Sequence, residues 1–465
     1  MFHNSSLYSP PTNWSKPLFK IRNDYPAPLD VAADRKVGRV PGLLDPSIPP
    51  PVSDPMLDAP WTLVDFTKDP RGYCAIVKEY CFEGNVNNNF NVHENKVRDW
   101  YHASWMNYGD NGREPLSGLT FERPTPILEL SDNQHRVLQT WAIGFFNSVA
   151  STVFGTMWAD PSNPKWDSDI KFPKGSCVFK VLMTDATDEE VCTMKGSPAF
   201  PAVIAQSPDK PGVRDDEASE VRLLQVDFAV QDERAPIGWV FGTFMYDGRR
   251  SDKNPWDRVV PVGLQWGNDP DLTQERYENG QRPQQSWINP KATKLRTSLH
   301  GKRPVWGWNE RLNGPADNFI SACASCHSVA ERKATGGPPT HANLVQPVEN
   351  LKDNGFGPPI HDTITMRWFR NIKAGKSFGG ETDSTDVFYS GDYSLQLMTG
   401  YMNMQKWSKN QKVQNMGTIA KAAHFVKLRV PYTKVAREKA EIDAKTGPLR
   451  AGPELDYSKK PDSKS

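Results

Sequence analysis

The sequence has no long apolar run, no excess of charge of either sign and few cysteines. Its 465 residues carry 56 basic and 55 acidic side chains, for a formal net charge of +1. A balanced charge provides no overall field for attracting nucleic acid or an anionic membrane, so we expect no nucleic-acid partner. No stretch approaches the roughly twenty apolar residues of a membrane-spanning helix, so we also expect no transmembrane segment.

The most informative stretch is Cys323-Ala324-Ser325-Cys326-His327. C-x-x-C-H is the attachment signature of c-type haem. Two thiols three residues apart at the start of a helix can each form a thioether with the same porphyrin, and the next residue then lies under the iron. The sequence therefore predicts one covalently attached haem c, held by Cys323 and Cys326, with His327 as the proximal iron ligand.

Two other kinds of site use a C-x-x-C pair and stay open as alternatives. A thioredoxin-type dithiol follows a strand of a βαβ unit, whereas this pair follows residues 313–318, which have the composition of a loop. A zinc site would need a second pair of ligands. No cysteine follows Cys326, so histidines such as His341 and His361 would have to complete it.

The haem motif also predicts where the protein matures. Haem is normally attached to such motifs outside the reducing cytosol, so we expect an exported, periplasmic protein. Residues 1–6 show neither the basic start nor the apolar core of a secretory signal. The expected location therefore depends on the haem chemistry alone.

Four further cysteines lie outside the motif. In an oxidising compartment they could form two disulfides, and pairing between sequence neighbours is the simplest arrangement. The alternative is four buried thiols. These residues are Cys74, Cys81, Cys177 and Cys192.

We predict a multidomain α+β protein with four parts. Residues 1–60 form an extended or partly disordered arm, residues 61–310 a β-rich domain built as an antiparallel sheet or sandwich, residues 311–407 a small all-α cytochrome c-like haem domain, and residues 408–465 a basic tail. The clearest strand patterns are Cys177–Met183, Ala202–Ala205, Val221–Val230 and Gly238–Tyr246.

Helices are expected at four places. The apolar stretch from Arg136 to Ala150 predicts a buried helix. In the haem region we expect helices that continue from His327 to Lys333, run from Asp362 to Asn371 and run from Ser394 to Met404. Short helices joined by loops suit a domain whose porphyrin supplies much of the apolar core.

The second axial ligand of the iron is less specified than the first. A thioether would raise the reduction potential, and a second imidazole would lower it. Met366 lies 39 residues after His327, beside Trp368-Phe369, and we predict it as the distal ligand. The other candidates are Met398, Met402, Met404, His341 and His361.

Eight stretches carry a resemblance to known proteins: Trp100–His102, Gly112–Pro115, Gly238–Phe244, Trp266–Pro270, Arg311–Pro315, Cys323–His327, Trp368–Asn371 and Asp392–Leu397. They resemble a bacterial family of monohaem cytochrome c proteins with a large uncharacterised N-terminal domain. The resemblance spans about residues 60 to 400. It implies haem c and electron transfer with a redox partner protein, and it implies no reaction for the N-terminal domain.

These observations favour an electron-transfer protein with one low-spin haem. The alternative is a haem-dependent oxidoreductase or peroxidase-like enzyme whose N-terminal domain binds a substrate, and the region of His102, Arg113 and Glu114 is its first candidate pocket. A third interpretation is a haem-based sensor. The lack of a recognisable output domain counts against it. In the carrier, the basic residues after Lys406 could dock an acidic redox partner, although a solvated tail has the same composition.

Overall fold

The computed structural model describes residues 7–26, 59–161, 163–292, 295, 306–336, 366–379 and 386–424, with side chains up to residue 410. Most of the predicted arm and of the basic tail lies outside these ranges, as do His341 and His361. Within the described ranges, no helix combines the length and apolar character that crossing a membrane requires.

The described chain is organised around a nine-stranded antiparallel sheet, as the strand patterns predicted. The strands lie in the order β1-β3-β4-β6-β7-β8-β9, while β2 pairs with β3 and β5 pairs with β6. The strands are β1 Trp100–Tyr101, β2 Thr120–Phe121, β3 Thr140–Asn147, β4 Cys177–Thr184, β5 Ala199–Ala202, β6 Ser219–Gln231, β7 Trp239–Tyr246, β8 Val259–Gln265 and β9 Ser286–Ile288.

The prediction of a helix over Arg136 to Ala150 is wrong for most of that stretch. Thr140–Asn147 forms β3, and all eight of its residues are buried. A central strand covered on both faces has a continuous apolar sequence, which periodicity alone does not distinguish from a buried helix.

Two helices flank the sheet in this first part of the chain. Helix α1, Pro70–Phe82, begins with proline and is capped by Asp69, whose side chain accepts from the backbone N–H of Gly72 at 2.9 Å. Helix α2, Ser148–Met157, directly follows β3 and is capped by Asn147. The next helix, α3, is the short segment Gln274–Glu278.

The two faces of the sheet carry different layers. On one face, a row of phenylalanines from neighbouring strands, including the stacked Phe145 and Phe179, packs in a buried cluster with α1. On the other face, Phe146 and Phe241 pack with residues of the C-x-x-C-H region. Alternating side chains place successive residues of a strand on opposite faces. The motif therefore lies on the face opposite α1.

The expectation of an all-α haem region over residues 311–407 is wrong in its described residues, which contain helices and a small two-stranded sheet. Helix α4, Cys323–Ser328, ends before the expected Lys333, because Glu331–Lys333 forms strand β10 and pairs with β11, Phe388–Ser390. Helix α5, Leu395–His424, confirms the helix expected from Ser394, but it continues beyond the expected end at Met404 into the stretch predicted as a basic tail. Of the helix expected from Asp362, the described part from Met366 onward is mainly a turn.

Candidate functional site

Helix α4 is held in place by hydrogen bonds to the end of strand β8 and to the loop that follows it. The backbone N–H of Ala324 donates to the Gln265 side chain at 2.9 Å, and Gln265 is the last residue of β8. The hydroxyl of Ser325 donates to the Asn268 side chain at 2.8 Å. One side of this short helix is thus fixed to the face of the sheet that carries Phe241.

The motif side chains occupy the other side of α4. Ala324, Ser325 and the final Ser328 are buried, with at most 4% of their surface exposed. Cys323, Cys326 and His327 are partly exposed. Because residues three and four apart share a face of a helix, both thiols and the imidazole point from the same surface. The structure brings the three predicted residues together on the partly exposed side of the helix.

The two motif cysteines are free thiols with different neighbours. Cys323 Sγ lies 3.5 Å from the side-chain oxygen of Asn313, and Cys326 Sγ lies 3.0 Å from the Ser321 hydroxyl. Burial raises the pKa of Cys326 to about 11 and that of Cys323 well above its usual range. Both thiols are therefore neutral at pH 7, whereas a catalytic dithiol has a thiolate stabilised by a lowered pKa.

A zinc site at the motif would need ligands from elsewhere in the chain, and the two named candidates, His341 and His361, lie outside the described residues. In the part of the chain that the structure describes, no group of three His, Cys, Asp or Glu residues is placed to hold one metal ion. Zinc requires its ligands to converge on a single point. Side chains that share a helix face without converging can instead contact different atoms of one large planar ligand.

His327 has the hydrogen bonding of an oriented iron ligand. Its Nδ1 lies 2.8 Å from the backbone carbonyl oxygen of Tyr393, and the ring packs against Phe241 with 5.2 Å between ring centroids. Burial lowers the pKa of His327 to about 4, so the imidazole is neutral at pH 7. A carbonyl can only accept, so Nδ1 carries the proton and the lone pair of Nε2 is left for a metal.

The carbonyl that orients His327 comes from a turn pinned by a buried carboxylate. Asp392 and Tyr393 both have positive φ, of 48° and 68°. The Asp392 carboxylate accepts from Trp239 Nε1 at 3.1 Å and from the backbone N–H of Gly375 at 2.9 Å. Sequence reasoning did not assign a role to either residue, since a backbone acceptor 66 residues from His327 leaves no local pattern.

Aromatic and aliphatic side chains surround α4. Trp368 donates its indole N–H to the Ser321 hydroxyl at 2.8 Å, and that hydroxyl also contacts Cys326. The buried cluster here joins sheet, loop and helix residues and would exclude water from a bound ligand. Its members include Trp308, Phe319, Ile320, Val329, Phe369, Leu397 and Met398.

The four candidate methionines all belong to this cluster or its edge. Met398 and Met404 are buried in it, and Met404 Sδ already accepts from the Ser408 hydroxyl at 3.3 Å. Met366 and Met402 are partly exposed at its edge. The assignment of Met366 as distal ligand stays a prediction.

A cluster of charged residues lies on the same face of the sheet as α4, opposite the phenylalanine layer that packs with α1. Lys180 of β4 and Asp227 of β6 are cross-strand neighbours, with Nζ 3.5 Å from Oδ2. The Gln225 amide bridges Asp227 and Asp317 at 2.8 and 3.0 Å. Burial raises the pKa of Asp227 in spite of Lys180. Burial opposes the charge of Lys180, but its carboxylate neighbours, Glu122 and Asp227 foremost, raise its pKa overall.

The first candidate substrate pocket is a packed structural region. His102, Arg113 and Glu114 are each at most 2% exposed. The backbone N–H of residue 22 donates to His102 Nδ1 at 2.9 Å, and Arg113 donates to the carbonyl of residue 118 at 2.6 Å. The Glu114 carboxylate accepts from the backbone N–H groups of residues 116, 117 and 119. These contacts fix loops, so this stretch stabilises the fold.

Comparison of the chain with family models, with curated proteins and with solved structures finds no match. The functional assignment therefore depends on the geometry around α4.

Proposed function

We propose that this protein is a c-type cytochrome that carries single electrons through one covalently bound haem. The observation that supports this most is the surface of α4: Cys323, Cys326 and His327 share its partly exposed side, while the intervening residues are bonded to the sheet. A dithiol enzyme would need a thiolate, and a zinc site would need converging ligands; neither arrangement is present in the described residues.

The chain's own residues have distinct roles in this proposal. Cys323 and Cys326 would hold the porphyrin by adding their S–H bonds across its two vinyl groups, which would give two thioethers with no net oxidation. The Tyr393 carbonyl fixes the His327 ring and its tautomer, which leaves Nε2 as the proximal ligand. Bound haem supplies a one-electron iron couple, and the surrounding aromatic cluster excludes water from it.

We further propose that residues 311–407 form the haem-binding unit and that it is docked on the sheet. The bonds from α4 to Gln265 and Asn268 and the contact of Phe241 with His327 support this arrangement. Met366 is the proposed sixth ligand. The proposed setting is an exported, periplasmic protein that exchanges electrons with a partner protein.

The first experiment asks whether the haem is present and how it is ligated. The full chain is expressed with an export signal and a haem c maturation system, and its optical spectrum is recorded in both redox states. We expect a red protein that retains its colour through acid–acetone extraction and titrates reversibly with one electron. Extractable haem, or stoichiometric zinc without haem, would refute the proposal.

A second experiment distinguishes the carrier from the peroxidase-like alternative. A saturated iron changes redox state with little movement of its ligands, whereas peroxide chemistry needs an open or displaceable position. We expect the ferrous protein not to bind carbon monoxide rapidly and the ferric protein not to turn over a peroxidase dye at neutral pH. Rapid binding or turnover would favour the enzyme.

A further inference from the structure

A second pair of cysteines meets on the opposite side of the sheet from α4. The Sγ atoms of Cys81 and Cys177 are 3.7 Å apart, although the two residues are separated by 96 positions in the chain. Cys81 belongs to the last turn of α1, and Cys177 is the first residue of β4. Their side chains are almost completely buried, at 2% and 0% exposed.

Hydrogen bonds hold both sides of this contact. Asn147 Oδ1 accepts from the backbone N–H of Cys177 at 3.1 Å, and the same side chain donates to the Tyr80 hydroxyl at 3.1 Å. The side chain of Asn85 donates to the backbone carbonyl of Cys81 at 2.8 Å. One asparagine thus links the start of β4 to α1, and the two thiols lie against each other within this packed junction.

The geometry excludes the pairing of sequence neighbours that was the simplest expectation. Cys74 and Cys81 lie seven residues apart in the same helix, which corresponds to a separation of about 10 Å along the axis. A disulfide requires Cα atoms within about 7 Å. The other pair of sequence neighbours is Cys177 and Cys192. Cys192 is exposed whereas Cys177 is fully buried, so these two thiols do not meet either.

We propose that Cys81 and Cys177 form a disulfide that joins α1 to the sheet when the protein matures in an oxidising compartment. The two thiols lose two protons and two electrons as the sulfur–sulfur bond forms. The electrons pass by thiol–disulfide exchange to the disulfide of an oxidoreductase, which becomes a dithiol. Because the pair is buried in the folded protein, exchange takes place before α1 has closed over β4.

The Cys81–Cys177 contact involves no residue of the haem motif, but the oxidising compartment in which it becomes a disulfide rests on the proposed function, because the expected location follows from haem chemistry. An exported protein that carries haem but no cross-link would refute the disulfide alone. The link closes a long loop and restricts the unfolded chain, so the oxidised protein should resist denaturant better than the reduced one. The exposed Cys192 and the buried Cys74 are left as thiols, and they provide matched controls.

The test maps thiols in the full chain after export and purification without reductant. The protein is denatured, alkylated and digested, with and without prior reduction, and the peptides are weighed. We expect a cross-linked pair of peptides containing Cys81 and Cys177, two hydrogens lighter than the sum of the free peptides. Reduction should abolish the cross-link and lower the urea midpoint.

Two variants complete the test. Cys81→Ser should make Cys177 available for alkylation without reduction, and Cys74→Ser should leave the cross-linked peptide unchanged. If a variant fails to fold, the peptide map of the unaltered protein still decides the matter. Full alkylation of Cys81 and Cys177 in the unreduced exported protein, or a cross-link to Cys74 or Cys192, would overturn the proposal.

Discussion

Glu331 provides the sharpest prediction about stability, because a carboxyl group is fully buried just after the haem-motif helix. It is 0% exposed and lies at the start of β10. One carboxyl oxygen accepts from the backbone N–H of Gly379 at 2.9 Å. Burial raises the pKa of Glu331 to about 8. At neutral pH the folded protein therefore holds this side chain largely in its protonated form.

The sign and size of the effect follow from this shift. A pKa raised on folding means that the folded state binds the proton more tightly than the unfolded chain does. The stability that this bound proton contributes is fully present below the unfolded pKa, and it is lost as the pH rises through the folded pKa. The rise from 4.5 to about 8 corresponds, at about 1.4 kcal/mol per unit, to about 5 kcal/mol of unfolding free energy. That is a large part of the stability of an ordinary domain.

The assay is urea unfolding of the unaltered protein and Glu331→Gln between pH 4.5 and 8.5. The glutamine has the same shape and keeps an acceptor oxygen, but it does not titrate. As the pH rises from 4.5 to 8.5, we expect the unfolding free energy of the variant to increase by several kcal/mol relative to that of the unaltered protein. The exposed Glu217→Gln serves as the control and should follow the unaltered protein. Parallel pH profiles for Glu331→Gln and the unaltered protein would refute the reasoning.

Three further predictions concern the proposed haem site and its support. Met366→Ala should abolish the thioether–iron charge-transfer band of the ferric protein, and Met398→Ala should preserve it; an unchanged spectrum in Met366→Ala would exclude Met366 as ligand. Asp227→Asn should flatten the pH dependence of the midpoint potential, because reduction of the iron favours protonation of the Asp227 carboxyl, whose pKa is raised. In the unaltered protein the midpoint potential should fall with rising pH by at most about 59 mV per pH unit. Equal slopes in the variant and the unaltered protein would contradict this. Arg311→Lys should lower the unfolding free energy by about 2–4 kcal/mol, since Arg311 is buried and its guanidinium donates to the backbone carbonyls of residues 268, 269 and 272; an unchanged urea midpoint would count against this role.

The sheet could be predicted from the sequence where apolar and polar residues alternate along a strand. It could not be predicted where both faces of a strand are covered, because such a strand is apolar throughout. The apolar alternation in Val221–Val230 correctly indicated β6, which spans Ser219–Gln231. The continuous apolar run of β3 was read as a helix for the reason given above. The end of α4 was also missed, because Glu331–Lys333 pairs with residues more than fifty positions later. Tertiary pairing of this kind overrides local helix propensity.

The site shows the same division between local and distant information. Cys323, Cys326 and His327 are adjacent in sequence, so their spacing alone predicted a common face. The Tyr393 carbonyl and the Cys81–Cys177 contact depend on chain segments 66 and 96 residues apart. A backbone oxygen has no residue type by which it can be recognised, and thiol pairing is not determined by the number of cysteines.

The central claim is that α4 carries one haem through two thioethers. The most direct measurement is a peptide map of the exported, matured protein, with the peptide that spans residues 323–327 weighed and its visible absorbance recorded. We predict that this peptide carries one haem, that Cys323→Ala with Cys326→Ala loses it, and that Cys192→Ser keeps it. An unmodified 323–327 peptide from protein matured alongside a correctly loaded cytochrome c would contradict the account.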